Sequence, residues 1–313
     1  FKKNNKEIII KTKEKINKIS SKKMKNKLEK IAKDTNIFLK NFIKKQKKSE
    51  LLIPMKYGLF SGGKKIRSKI LVDIGSLFKL NYKNLILIGS AVECIHAYSL
   101  IHDDLPCMDN DEIRRGKQST HVRFGESNAV LAGNSLLTMA FEILSYKDFI
   151  APEKVKVNLV NKLSESSGHL GIAGGQYLDL KFEHQKVSKK RVLEMERKKT
   201  GKLFSFCCAA PLILKNKNKK EIKKFENIGL DIGLLFQVAD DLIDYKGSLS
   251  KAGKRTQKDK KKGKATLISL LGHENTIKYS NELILKISRS LKNYGPKSKN
   301  LSETLHYIVN RSK

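Results

Sequence analysis

Apolar residues recur along most of this chain at intervals of three and four, the spacing of helices that bury one face. Over residues 1–50 the pattern is loose (Ile16, Ile19, Leu28, Ile31, Ile37, Phe38, Phe42) and set among lysines, which predicts an exposed helix frayed at its start. Pro54 is placed to open a helix through Met55, Tyr57 and Leu59 that stops at Ser61-Gly62-Gly63. Helical patterning resumes over Ile66–Leu80. Asn84–His102 is long and apolar with the single acid Glu93, a pattern for a buried helix. Further helices are predicted over Phe124–Leu144, Lys156–Leu180, Val192–Leu214 and Glu221–Tyr245, with two or three amphipathic ones between Thr266 and Val309. No run alternates with period two between turn dipeptides, so strands are minor or absent. The expectation is an all-α chain: one helical bundle over residues 31–313 around a central cavity, preceded by a Lys-rich, partly helical extension over residues 1–30.

Composition changes this picture in one respect. The 313 residues carry 65 Lys and Arg against 31 Asp and Glu, a formal charge of +34. Such an excess ordinarily suggests a nucleic-acid or membrane-surface protein. Here lysine is richest where patterning is weakest: residues 1–50 hold 18 Lys, no Arg and five acids. Lys, Ile and Asn are abundant together throughout, as A/T-rich coding would produce, so no nucleic-acid partner is expected. Four cysteines (Cys94, Cys107, Cys207, Cys208) form no C-x-x-C, which argues against zinc and disulfide frameworks and for a reducing compartment. The longest uncharged run, Ser127–Phe141, has 15 residues, shorter than the ~18 of a spanning helix. With no signal peptide in view, a cytoplasmic chain without stable membrane insertion is expected.

Against this basic background two acidic clusters stand out. The first, S-L-I-H-D-D-L-P-C-M-D-N-D-E-I-R-R-G-K over Ser99–Lys117, follows the predicted buried helix, and Pro106 cannot continue that helix. The second is F-Q-V-A-D-D-L-I-D, where Asp240 and Asp244 are four apart and so share a helix face. Carboxylates this crowded repel one another, by roughly 1 kcal/mol per pair at 4 Å in water and more when desolvated. Hard oxygen ligands of this kind suit magnesium, which completes its shell with water and substrate phosphates. Arginines and lysines able to hold those phosphates stand nearby in G-G-K-K-I-R, R-R-G-K, K-K-T-G and the stretch after Gly253. His96, two turns before the first acids, is an equal candidate for core packing or phosphate donation. No Ser/His/Asp or Cys/His set is present to suggest covalent catalysis.

In order, G-G-K-K-I-R, E-C-I-H-A-Y-S-L-I-H-D-D-L-P-C-M-D-N-D-E-I-R-R-G-K, G-G-Q-Y-L-D, K-K-T-G, G-L-L-F-Q-V-A-D-D-L-I-D and G-K-R-T-Q-K-D-K-K-K-G-K-A-T resemble the polyprenyl synthetase family over residues 50–313. The likeness is to trans-isoprenyl diphosphate synthases of the bacterial farnesyl type. It implies a magnesium-dependent homodimeric prenyltransferase with three ions, manganese being able to substitute. Asp103, Asp104, Asp109, Asp240, Asp241 and Asp244 would hold the metals. Arg114, Lys199, Lys254 and Lys264 would contact the allylic diphosphate, with Thr200 and Gln237 lining the reacting carbons. Lys64, Arg67, His96 and Arg115 would bind isopentenyl diphosphate. Tyr98, with the small Ser99 beside it, would floor the pocket and stop growth at fifteen carbons.

The chain departs from the family pattern at Ser68, where proline often follows G-G-K-x-x-R, and at Asn134, where an acid is common. Rival readings are a geranylgeranyl or other short-chain polyprenyl diphosphate synthase, a terpene cyclase and a silent regulatory subunit. Tyr98 argues against the first. The intact second acidic cluster and G-G-K-K-I-R argue against the others.

Overall fold

The computed structural model describes the backbone of residues 2–250 and 266–310, and the side chains of 22–245 and 266–310. Among these residues nearly everything regular is helix. The first helix, α1 (Lys2–Lys44), leads to α2 (Leu52–Leu59), α3 (Ile66–Leu77) and the central α4 (Tyr82–Asp103). A two-residue hairpin, β1 (Ile113–Arg114) with β2 (Lys117–Gln118), interrupts the helices before α5 (Thr120–Phe124) and α6 (Glu126–Ser145). Then come α7 (Glu153–Ser167), α8 (Ile172–Phe182), α9 (Lys189–Glu196), α10 (Lys202–Leu214) and α11 (Lys219–Ser250). The chain closes with α12 (Leu267–Leu271), α13 (His273–Leu291) and α14 (Lys299–Asn310).

The core runs between α4 and α10. One flank of α4 packs on α6 and the other on α3, while α10 packs on α11, α3 and α7. The sequence accounts for α4 directly. The Asn81 side chain accepts the Lys83 N–H as its amino-terminal cap, and the helix carries Glu93 as its one acid before Asp103, with Pro106 forbidding another turn. By length and composition α4 is apolar enough to cross a bilayer, yet 83% of its most apolar window is buried inside the protein. Helix α1 joins the same core through Met24, Leu28, Ile31, Leu39, Phe42 and Ile43.

Three stretches differ from the sequence-based expectation, and each difference has a local cause. Lys156–Leu180 is two helices, α7 and α8, because the backbone leaves helical geometry at Gly168 and Gly171, residues of poor helix propensity. Phe124–Leu144 is divided by Gly125, whose φ of 89° ends α5 and starts α6. Val192–Leu214 is continuous but relaxes into a π-helical turn over Arg197–Gly201, between α9 and α10. Such turns are rare and recur at functional sites.

Candidate active site

The first acidic cluster is built by the carboxyl end of α4 and a loop that folds back on it. Asp103 is the last helical residue. The loop returns because the Asp109 N–H donates to the Asp103 carbonyl at 2.9 Å and the Asp111 N–H to the Asp104 carbonyl at 3.1 Å. Asn110 takes a positive φ of 48° to allow it. These bonds bring Asp109 over the helix end beside Asp103. Burial pushes the Asp103 carboxyl up to about 6, with Lys199 opposing the rise and Asp109 adding to it. Burial also raises Asp104, against the pull of Arg114.

Asp104 is the most enclosed of the cluster, 2% exposed, and it is forked by Arg114. The guanidinium Nε lies 2.9 and 3.2 Å from its two oxygens and Nη2 bonds it as well. Arg114 sits on the hairpin strand, and the turn between the strands is Arg115-Gly116, both with positive φ (53° and 76°) as a tight two-residue hairpin turn requires. That turn throws Arg115 away from the acids and onto the Gly62 carbonyl. Gly63, at φ 101°, allows the approach: a Cβ there would lie 2.6 Å from Arg115 Nη1. The two consecutive arginines therefore serve opposite halves of the site.

The half lined by Arg115 also holds Arg67 and His96. Arg67 lies in the first turn of α3 with its guanidinium 4.7 Å from the Phe204 ring centroid and 5.7 Å from that of Phe236. Its Nε is buried with no hydrogen-bond partner. Burial lowers its ordinary value, with Glu93 and Asp240 among the groups opposing the shift. His96 is held well below 6.5 by burial and by the surrounding Arg67, Arg115, Lys65 and Arg114 cations. Lys64 is exposed, with its ammonium 5.4 Å from the Tyr307 ring of α14.

The opposite half is built by α8, the π-helical turn and α11. Lys199 reaches Asp179 of α8 at 2.5 Å. The Thr200 hydroxyl donates to Gln237 Oε1 at 3.3 Å, and Gln237 Nε2 donates to Asp241 Oδ1 at 3.0 Å. The π-turn and α8 meet closely, since a Cβ on Gly175 would stand 2.1 Å from the Lys199 nitrogen. Asp240 and Asp244 lie one turn apart on α11, with Asp244 exposed at the rim. Lys254 and Lys264, and Asp259 between them, lie outside the described residues.

Tyr98 is buried one turn and a half before the acids. Its ring packs edge-on against His102 at 5.5 Å, and its hydroxyl is 3.5 Å from the Ser167 carbonyl at the end of α7. Ser99 beside it donates to the His96 carbonyl at 3.0 Å. His102 itself contacts the Val130 carbonyl of α6 at 3.1 Å, a support for the helix pair.

Residue-level reasoning gave no role to Asp179, Gln176, Lys65 and Glu93. Asp179 and Gln176 fall inside G-G-Q-Y-L-D, where helical spacing alone does not say which residues turn inward. Both amide atoms of Gln176 are buried without a hydrogen-bond partner. Glu93 stood out as the one acid of an apolar helix, and its partner Lys65 was hidden among abundant lysines.

The donor set fits magnesium. Crowded carboxylates at a helix end and along α11 are hard oxygen ligands, and burial, which raises Asp103 and Asp104, is a cost that a bound cation would offset. Among the described residues no three acidic, histidine or cysteine side chains converge tightly enough to enclose an ion unaided.

A fold made of helices that carry two acidic clusters is that of the all-α isoprenoid synthases. The polyprenyl synthetase family model matches residues 48–306, and the chain belongs to this family of prenyltransferases. It is 38% identical over 265 residues to the farnesyl diphosphate synthase of Micrococcus luteus, covering 85% of this chain and 90% of that one. A solved FPP/GFPP synthase from Zymomonas mobilis superposes with a TM-score of 0.81 at 34% identity, covering 92% of this chain and 99% of that one. A geranyltransferase from Helicobacter pylori, solved with magnesium and isoprenyl diphosphate, superposes with a TM-score of 0.75 at 30% identity, covering 91% and 96%.

Proposed function

We propose that this chain condenses isopentenyl diphosphate head to tail with dimethylallyl and then geranyl diphosphate, giving farnesyl diphosphate and diphosphate. The observation that carries this reading is the division of the site: a half in which two arginines stand with His96 (Arg67, Arg115, His96) against a half rich in carboxylates (Asp103, Asp104, Lys199, Thr200, Gln237, Asp240, Asp241). Two diphosphates of different chemistry need two such half-sites.

Asp103, Asp104, Asp109, Asp240, Asp241 and Asp244 would hold three magnesium ions, with manganese able to substitute. Bound there, the ions supply positive charge to the leaving diphosphate. Lys199 and Arg114 add fixed cations beside the same leaving group, and the Asp179 and Asp104 carboxylates hold them aimed before substrate arrives. Breakage of the allylic C–O bond leaves its electron pair on diphosphate. Thr200 and Gln237 line the place where the resulting carbocation forms, and the apolar walls exclude water from it. Arg67, whose buried Nε needs an acceptor, holds isopentenyl diphosphate with Lys64, Arg115 and His96. Its alkene then attacks in an orientation set by binding. Loss of a proton, with the released diphosphate as the nearby acceptor, restores the double bond. Tyr98 is the proposed floor of the pocket and Ser99 its narrow neighbour.

The catalytic unit is proposed as residues 31–313, with residues 1–30 as a basic extension whose inner residues Met24 and Leu28 rest on the core. A homodimer is proposed, because α5 and α6 leave Val122, Val130 and Leu131 exposed on neighbouring turns. A cytoplasmic location is proposed, and the four free cysteines support it. The test is substitution of one acid from each cluster: Asp103→Asn and Asp240→Asn are each expected to lose turnover by roughly 100-fold or more while keeping helical content. Full activity in either variant contradicts the proposal.

A further inference from the structure

The first turn of α3 lacks an ordinary cap. Lys65 precedes it in the left-handed conformation, φ 54°, and its side chain makes no capping bond. The N–H of Ser68, third in the helix, would be an orphan donor. It donates instead to Glu93 Oε1 of α4 at 3.3 Å, and the Ser68 hydroxyl bonds the same oxygen at 2.9 Å. The Gly89 carbonyl lies 3.2 Å from that hydroxyl. The second oxygen, Glu93 Oε2, lies 3.5 Å from Lys65 Nζ. All of these polar groups are buried. Gly89 is needed for the approach, because a Cβ there would stand 3.1 Å from Ser68 Oγ. A carboxylate from α4 thus caps α3 from outside, through a serine that supplies two donors. A proline at position 68 would supply neither.

The residues on either side of this link face the cationic half-site. Arg67 directly precedes Ser68 in the chain, and His96 follows Glu93 by three residues, about one turn along α4. Substitution at position 68 frees the start of α3 to move relative to α4, and with it the spacing between Arg67 and His96. We infer that Ser68, through Glu93, is a positioning residue for the isopentenyl diphosphate half-site. The inference rests on the assignment of Arg67 and His96 to that substrate.

The test uses the full chain and measures KM for isopentenyl diphosphate at saturating geranyl diphosphate, then the reverse, with magnesium present throughout. Ser68→Ala and Ser68→Pro are expected to raise KM for isopentenyl diphosphate about tenfold, as loss of a buried hydrogen bond to a charged group does, with KM for geranyl diphosphate within about twofold of the parent. Glu93→Gln, which keeps an acceptor oxygen but removes the charge facing Lys65, is expected to move the same constant in the same direction. It carries the test if a Ser68 variant does not fold. Unchanged KM for isopentenyl diphosphate, or equal rises for both substrates, overturns the inference. Arg67→Ala separates the two levels. If it raises that KM while the Ser68 and Glu93 variants do not, only the positioning role fails. If it does not, the substrate assignment itself fails.

Discussion

The Lys199 ammonium stands 2.5 Å from the Asp179 carboxylate, across the seam between the π-helical turn and α8. Asp179 is buried, so the lysine is fixed by a desolvated partner instead of sampling solvent. Asp103 feels Lys199 as its largest stabilising charge. One carboxylate therefore aims the cation that acts on the first acidic cluster and that, in the proposed mechanism, also meets the leaving diphosphate. Asp179→Asn is expected to lower kcat with geranyl diphosphate by about 10- to 100-fold, the loss of a charged hydrogen bond. Steady-state kinetics on folded protein check it, and an unchanged kcat would show that the lysine needs no anchor.

Tyr98 occupies volume that a longer chain would need if it floors the pocket. Tyr98→Ala is expected to shift product from fifteen to twenty or more carbons, and to lower stability by about 3–5 kcal/mol through the cavity it leaves. Tyr98→Leu opens less space with less loss. Chain-length analysis of extracted product decides the matter, and fifteen carbons from both variants would remove Tyr98 from the account.

Another buried ion pair lies away from the site. Lys69 reaches Asp73 at 2.5 and 2.6 Å, and the Thr304 hydroxyl of α14 donates to Asp73 at 2.7 Å. The network docks the last helix onto α3. Asp73→Asn leaves a buried ammonium without its counter-charge and is expected to cost about 3–5 kcal/mol. Thr304→Val keeps the ion pair and should cost closer to about 1 kcal/mol. Urea unfolding midpoints compare them, and equal small losses would show that the charge pair contributes little.

His96 makes stability depend on pH with a definite sign. Its folded value is well below 6.5 because of burial and the arginines around it. Below pH 6.5 the unfolded chain binds a proton there that the folded chain does not, so stability falls as pH drops toward the folded value and is level above 6.5. The slope approaches about 1.4 kcal/mol per pH unit. His96→Gln removes this contribution, so the variant should gain stability relative to the parent on acidification from pH 7 to 5.5. A constant difference would place the imidazole in an ordinary aqueous setting.

The helices were legible because their signals are local: apolar spacing in α4 and α11, the Asn81 cap, and Pro106 as a stop. The acids were legible for a chemical reason, since clustered carboxylates are conspicuous in a basic chain. What escaped were relations between elements. The division of Lys156–Leu180 at Gly168 and Gly171 brings Asp179 to Lys199, and no spacing rule announces that encounter. The opposite directions taken by Arg114 and Arg115 follow from two positive φ angles in the hairpin turn. The role of Glu93 depends on Ser68, 25 residues away.

The most direct measurement is product analysis after the purified chain is incubated with isopentenyl diphosphate, magnesium, and either dimethylallyl or geranyl diphosphate. The account predicts a fifteen-carbon diphosphate from both starters, abolished by a chelator and restored by magnesium. No magnesium-dependent condensation by folded protein would contradict the proposed function itself, and twenty carbons or more would contradict the fifteen-carbon limit set at Tyr98.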